Sequence, residues 1–346
     1  MDPSEPARPP TMEDVAARAG VSRALVSIVF RDLPGASPEN RERVRRAAQE
    51  IGFRPDRRAS LLGRKRTNLL GVTFGVGHEF HADLLASLYA AAGEQRLEIV
   101  LSGITDRRTE RQAVSELLAF RCDAVLLLGS TLSPSELTAI AETTPVVALA
   151  RPVRTPGVDA VRTDDELGAR LATEHLIGLG HRSILHLDGG RAPGGAERRR
   201  GFRQAMATAG LLDGAVVAPG GLTDADGERA ARAFLAALGR PTTMRSEDPV
   251  PTAVFAFNDQ CATGFLATVR DGGVAVPGGL SLVGYDDSRI AHASWARLTT
   301  VAQDTTALAE GAVKRARTRI ARPDLPAGEP LLIPPSLVVR GTTAPS

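Results

Sequence analysis

Three places in the 346-residue chain gather side chains able to grip a polar small molecule. Arg198-Arg199-Arg200-Gly201-Phe202 follows a glycine-rich loop, Asn258-Asp259 follows an apolar run ending at Phe257, and Asp286-Asp287 follows a run ending at Tyr285. Carboxylates accept hydrogen bonds from hydroxyls, amides accept and donate, and an Arg fork binds a carboxylate, a phosphate or a vicinal pair of hydroxyls. The chemistry is reversible recognition. Simpler roles stand beside it: Asn258 and Asp286 as caps of helices or turns, and Arg198 at a solvated helix start.

A second kind of chemistry lies at residues 11–31, TMEDVAARAGVSRALVSIVFR. Thr11 and Asp14 can close a capping box on a first helix, Gly20 supplies a left-handed turn residue, and Ser22 can cap a second helix. Val15, Ala16 and Ala19 form one apolar face, and Leu25, Val26 and Val29 form the face that packs against it. Arg23, Ala24, Ser27 and Arg31 are left outward, and early residues of such a second helix meet base edges in the DNA major groove. The alternative is an ordinary helical hairpin. Ser37-Pro38-Glu39 opens a third helix whose inward stripe is Val44, Ala47, Ala48 and Ile51. Its outer arginines, Arg41, Arg43, Arg45 and Arg46, suit phosphates or a solvated face. Residues 54–66, RPDRRASLLGRKR, surround Leu61 and Leu62 with basic residues, Arg57 among them. That pattern fits a segment that orders on DNA, with arginines on phosphates and a leucine wedged between base steps. A plain tether is the alternative.

Residues 11–66 resemble the DNA-binding head and hinge helix of the LacI/GalR (lac repressor) family of bacterial transcription regulators. The resemblance is carried by Thr11, Asp14-Val15-Ala16, Ala19-Gly20-Val21-Ser22, Val26-Ser27, Pro55, Ala59 and Leu62. It implies that Leu62 is the minor-groove wedge and that Thr11 and Ala59 join the DNA-binding positions. The chain departs from the family's frequent pattern at Leu25, Ile28 and Phe30-Arg31.

From residue 68 short apolar runs alternate with amphipathic helices, which means a parallel sheet covered on both faces. Strands are expected at 69–74, 97–101, 124–128 and 146–149, with helices at 84–92, 109–120 and 135–142 between them. The alternation then restarts, with strands at 183–187, 216–217, 253–257 and 281–285 and helices at 164–179, 196–209, 224–238 and 259–271. Two such sets predict an α/β body of two Rossmann-like lobes behind an all-α helix-turn-helix head. The expected division is a disordered tail at 1–10, the head at 11–56, a hinge helix and linker at 57–67, the body at 68–340 and a tail at 341–346. Within the body, lobe one takes about 68–162 and 300–325, and lobe two about 163–297 and 328–340. The back-crossings follow from the resemblance, with 298–301 leading back to lobe one, a helix at 304–320, and a last strand at 336–340 returning to lobe two.

The resemblance extends over about 11–340 and implies a periplasmic-binding-protein-like body that holds an effector between its lobes. The family's effector-contacting positions fall on Arg198, Asn258 and Asp286. Phe80 keeps one member of an aromatic pair found in many relatives, and His81 replaces its neighbour. An aromatic platform of lobe two falls at Leu222, and a strand-end Asp of some sugar-responsive relatives falls at Ala150. With aromatics at 4% of the chain, a sugar has few faces to stack on, and Trp295 is the one tryptophan.

Charge and composition agree with this division. The net charge is +2, yet residues 1–66 hold 14 Lys and Arg against 9 Asp and Glu, while residues 67–346 hold 28 against 31. A basic head on a slightly acidic body suits a nucleic-acid module with a separate body. Cys122 and Cys261 lack CxxC spacing and read as core residues of a reducing compartment. No start resembles a signal peptide and no apolar run approaches about 20 residues, so a cytoplasmic, nucleoid-associated location is expected. A nicotinamide enzyme is disfavoured: Gly75-Val76-Gly77-His78-Glu79-Phe80 lacks the third glycine, and Leu101-Ser102-Gly103 ends the second strand without an acid. No GxSxG elbow and no HExxH pair is present. A periplasmic solute-binding protein has no use for the basic head. The reading is therefore a homodimeric, ligand-responsive regulator, expected to be a repressor. Its partners are double-stranded operator DNA and a carbohydrate or other small metabolite, with no cofactor and no metal.

Overall fold

The structure is a computed structural model that describes residues 8–54, 66–238 and 250–346. The chain divides into two units, residues 1–67 and 68–346.

The first unit is three helices, α1 (Met12–Ala19), α2 (Arg23–Phe30) and α3 (Pro38–Glu50). Thr11 and Asp14 form the capping box, Gly20 sits at φ 63° as the left-handed C-cap, and the Ser22 hydroxyl accepts from the Leu25 amide. Ser37 caps α3 with Pro38 at its first position. Val15, Val26 and Val44 are completely buried at the centre of these helices. Each such burial stabilises by about 1.5–3 kcal/mol. Phe53 closes the core beneath Phe30, ring centroids 5.4 Å apart.

The second unit holds two six-stranded sheets. The first contains β1 (Leu69–Gly75), β2 (Glu98–Ile104), β3 (Ala124–Leu128), β4 (Val146–Leu149) and β5 (Val158–Thr163). Helices α4 (Glu79–Glu94), α5 (Glu110–Ala119) and α6 (Pro134–Ala141) connect the first four. After β5 the chain crosses into α7 (Asp165–Gly178), β6 (Ile184–Asp188), α8 (Gly195–Thr208), β7 (Ala215–Pro219), α9 (Asp224–Leu238), β8 (Ala253–Ala256), α10 (Asp259–Asp271), β9 (Ser281–Asp286) and β10 (Thr299–Ala302). It returns through α11 (Thr305–Ala321) and β11 (Leu331–Ile333), then ends on β12 (Ser336–Val338). The first sheet is ordered β11-β5-β4-β3-β1-β2, and the second β12-β10-β9-β8-β6-β7. All pairs are parallel except β12 against β10. Each sheet carries a core on both faces, which is why β3 and β8 are buried at every residue.

Three details correct the expected path. Residues 298–301 do not lead back to lobe one: Thr299 pairs with Val283, so β10 stays in the second sheet and the crossing waits until residues 303–304. Strands β5 and β11 also join the first sheet: β11 is only three residues, Leu331-Leu332-Ile333, and β5 has no unbroken apolar run. β5 reads Val-Asp-Ala-Val-Arg-Thr, and its buried Asp159 is neutralised by Arg315 at 2.7 Å and Arg319 at 3.6 Å. Lobe one therefore extends through residue 333. Residues 341–346 are not a loose tail. Thr342 is fully buried, donates to the Leu282 carbonyl at 2.7 Å and accepts from the Thr299 amide at 2.9 Å, while the Ser346 amide reaches Leu179 O.

Glycine lets two helices of lobe two approach unusually closely. A Cβ on Gly227 of α9 would lie 2.0 Å from the Cys261 carbonyl oxygen of α10, and one on Gly264 would lie 2.0 Å from that of Asp224. This contact fixes the start of α10, where Asn258 stands.

Candidate functional site

In the head, Ser22, Arg23, Ala24 and Arg31 are exposed and Ser27 is half-buried. Positions 24, 27 and 31 share one face of α2 by helical spacing. Arg23 pairs with Glu13 at 3.1 Å, both well exposed, so the pair holds Arg23 only weakly. Thr11 is half-buried, with its hydroxyl and amide both donating to Asp14. Of the outer arginines, Arg41 is structural: it donates to Asp32 at 2.8 Å and to the Leu33 carbonyl, holding the loop after α2. Arg43 donates to Asn40, whereas Arg45 is exposed at the surface. Arg57, Ala59 and Leu62 lie outside the described residues. Removing the cap of the outward-facing helix, Ser22→Ala, is expected to destabilise α2 by about 1 kcal/mol. Amide exchange in α2 of the full-length protein should then accelerate about fivefold; unchanged exchange would deny the cap that role.

In the body, Phe80, Arg198, Leu222, Asn258 and Asp286 all line one cavity of about 350 Å³ between the lobes. It lies beyond the carboxyl ends of both parallel sheets, where open α/β sheets hold ligands. Lobe one also contributes His78, His81, Thr131 and Ala150, and lobe two contributes Asp165, Arg191, Phe257 and Gln260. Gln303, on the crossing from β10 to α11, completes the wall.

Arg198 is the buried centre. Its Nε donates to Asp165 at 2.9 Å, one Nη donates to the Phe257 carbonyl at 2.6 Å, and the other lies 3.8 Å from Asp286. The guanidinium stacks 3.5 Å over the Tyr285 ring and 4.5 Å from Phe257. Held through Nε and one Nη and stacked on two rings, it is fixed in place and leaves its other Nη edge for the cavity. The neighbouring arginines are spent elsewhere, Arg199 on Asp188 and Arg200 on Glu166 and Glu197. Gly194 opens α8 at φ 80°, and a Cβ there would lie 3.0 Å from Asp165 Oδ1, so that position favours glycine.

Asp286 ends β9 with φ 112°, a strained angle for a residue with a side chain. Its Oδ1 accepts from Gln303 Nε2 at 2.7 Å. Burial pushes its carboxyl well above the ordinary range, against the opposing pull of Arg198 and Gln303. Asp259 is likewise pushed up, by burial and by Asp286, and it is wholly internal: it accepts from Thr300 at 2.6 Å and from the Ser288 amide at 2.8 Å. Asp287 pairs with Arg340 at 2.6 Å. Of the four residues in the two acidic motifs, Asn258 and Asp286 line the cavity, and Asp259 and Asp287 are scaffold.

Asn258 combines the two roles weighed for it. Its Oδ1 caps α10 by accepting from the Cys261 amide at 2.8 Å, and its Nδ2 donates to the Leu222 carbonyl at 2.9 Å. It thus holds the Leu222 loop against the cavity. His81 accepts the Gly75 amide hydrogen on Nδ1 at 3.0 Å, which puts its ring proton on Nε2. Burial pushes its pKa down to about 3, with the adjacent His78 ring adding to the shift, so the ring is neutral at pH 7. Trp295 is 52% exposed and stands outside the cavity lining. Asp165 and Gln303 are among the lining residues that sequence reading missed, with Thr131, Arg191 and Gln260. Asp165 looks like any acid in a first helical turn, and a lone Gln carries no motif.

A raised carboxyl has a signed consequence for stability. Because the folded state holds the Asp286 proton more tightly, its contribution is complete below about pH 4 and is lost as pH rises through the raised value. Asp286→Asn keeps the neutral form and still accepts from Gln303. Its thermal midpoint, measured against the parent, is expected to gain progressively from pH 5 to pH 8; a gap that does not change with pH would contradict the burial argument.

Among the described residues no three His, Cys, Asp or Glu side chains gather as a metal site, and no helix is long and apolar enough to cross a membrane. A family model described as bacterial regulatory proteins, lacI family, matches residues 11–56, and one described as a periplasmic binding protein-like domain matches 173–343. The HTH-type transcriptional regulator DegA of Bacillus subtilis (strain 168) is 30% identical over 345 residues, 97% of this chain and 98% of that protein. The crystal structure of a LacI transcriptional regulator from a Rhodococcus species is 44% identical, with a TM-score of 0.75 over 80% of this chain and 98% of its own. The lac repressor dimer bound to operator and the anti-inducer ONPF is 27% identical, with a TM-score of 0.81 over 97% of this chain and 100% of its own.

Proposed function

The chain belongs to the LacI family of bacterial regulatory proteins and is a ligand-responsive, DNA-binding transcription regulator, not an enzyme; we propose how its residues divide that work. Two heads of a homodimer read two half-sites of a near-palindromic operator. Ser22, Arg23, Ala24, Ser27 and Arg31 face the major groove, with Thr11 and Arg57 at the backbone and Ala59 and Leu62 in the hinge contact. The protein acts as a repressor in the cytoplasm, on the nucleoid.

The cleft takes a carbohydrate or a similarly hydroxylated metabolite. One observation carries this reading: the immobilised Arg198 edge and the Asp286 carboxylate stand 3.8 Å apart at the wall of a cavity that both lobes line. A donor beside an acceptor at that spacing suits adjacent hydroxyls. Phe80 and Leu222 supply apolar contact, and Asn258 orders the loop. Ligand in the cleft biases the lobe arrangement and so the two hinge segments. A coupling of about 1–3 kcal/mol changes operator affinity roughly 5–150-fold.

The test is an affinity selection of genomic fragments by the purified protein at about 150 mM salt, where non-specific binding is weak. Recovery of a near-palindromic site supports the reading, and metabolites of the adjacent genes become the effectors to try. Loss of the response in Asp286→Ala, with operator affinity kept, would support the cleft assignment. No enrichment, either alone or with added cell metabolites, would overturn the DNA-reading role of this head.

A further inference from the structure

Most helices in the body close their own first turn. Thr109 caps α5, Ser133 caps α6, Asp164 caps α7, Asn258 caps α10 and Asp304 caps α11, each by a side-chain acceptor. Among the described residues, two N-caps of the body's α-helices make no side-chain cap bond: Gly194 of α8, which has no side chain, and His78 of α4. The orphan amide of Glu79 instead donates to Gln260 Oε1 at 3.5 Å. Gln260 Nε2 in turn donates to the Gly77 carbonyl at 3.2 Å. Gln260 belongs to α10 in lobe two, while Gly77 and Glu79 belong to lobe one. One turn further along α4, Asp83 accepts from Arg289 Nε at 3.0 Å, and Arg289 lies in the 3₁₀ turn after β9, again in lobe two.

We propose that lobe two caps α4 across the cleft, so that Gln260 and Arg289 are closure residues that set the balance between closed and open lobes. The placement supports this. Gln260 stands two residues after Asn258, Arg289 three after Asp286, and the segment they hold, 77–83, contains Phe80 and His81. Three of the segments that face the cavity are therefore pinned across the cleft close to their cavity-lining residues. When the lobes part, α4 loses the acceptor for its first amide, an orphan that the helix cannot satisfy by itself. Closure residues of this kind scale the affinity for any cleft ligand by the fraction of molecules that are closed. The proposal rests on the reading of the cleft as the ligand site.

The two contacts differ in weight. Gln260 makes hydrogen bonds at the cavity rim, whose loss is expected to lower the closed-to-open ratio about three- to tenfold. Arg289 is largely exposed, and its pair with Asp83 is worth about two- to threefold.

The test is hydrogen exchange of the full-length protein, resolved to single amides by fragmentation, with the Glu79 amide as reporter. Arg289→Ala does not touch that amide. If closure is one cooperative movement, Glu79 exchange still accelerates about two- to threefold, Arg289→Lys restores most of the protection, and amides of β1 and β3 keep theirs. Unchanged Glu79 exchange in Arg289→Ala would overturn the proposal, because the two contacts would then be independent surface bonds. So would a Glu79 amide that exchanges at the free-chain rate in the parent protein. No ligand or operator is used, so failure here leaves the cleft reading standing, whereas failure of that reading appears only in the operator experiment.

Discussion

Arg198→Ala is expected to destabilise the body by about 3–5 kcal/mol, the range for removing one partner of a buried charge cluster. Three losses combine. Asp165 is left as a buried carboxylate without its 2.9 Å partner, the Phe257 carbonyl loses its donor, and the space between Tyr285 and Phe257 becomes a cavity. With a total stability of about 5–15 kcal/mol for a typical domain, such a loss is a large fraction of what holds lobe two together. Urea unfolding followed by circular dichroism measures it. The double variant Arg198→Met with Asp165→Leu separates the causes. If the uncompensated carboxylate dominates, the second change recovers much of the loss; if packing dominates, it adds to it. A single-variant loss below about 1 kcal/mol would mean that the guanidinium is not the fixed centre described above.

The second large effect comes from Gly264→Ala, where two terms oppose each other. Alanine in a helix interior is favoured over glycine by about 1 kcal/mol. Here the added methyl would sit 2.0 Å from the Asp224 carbonyl oxygen and 2.6 Å from its carbon, both of them backbone atoms. Helix α9 must therefore shift, and overpacking of this kind costs about 1–3 kcal/mol or more. Steric conflict should win, with a net loss of about 2 kcal/mol in urea unfolding. The same shift would move Leu222, whose carbonyl is held by Asn258 at 2.9 Å, so the cleft changes shape as well. Stability equal to or above the parent would show that the helices separate freely.

Local chemistry explains why the head is legible in the sequence. Thr11, Gly20, Ser22, Ser37 and Pro38 act on atoms within a few residues of themselves, and the observed caps lie where those residues put them. The body's helices and most of its strands were legible for a related reason. A strand buried on both faces writes an unbroken apolar run, as at 124–128, and a covering helix writes its stripe.

Sequence alone thus determined the alternation of elements, the helix-turn-helix and the positions of Arg198, Asn258 and Asp286 beyond strand ends, while the family resemblance added Phe80 and Leu222; all five line one cavity. Tertiary structure decided the rest, because each remaining question turned on partners far apart in the chain. Thr299–Ala302 belongs to lobe two through its pairing with Val283–Asp286, which no local pattern records. β5 is a strand despite Asp159, because Arg315, 156 residues away, balances that charge. Asp286 and Asp287 are neighbours of the same type, yet Gln303 and Arg198 surround the first at the cavity and Arg340 takes the second away from it. Capping and periodicity act over one or two turns and can be read from residue order; burial of charge, lobe crossing and the division of labour between adjacent acids depend on which distant groups arrive.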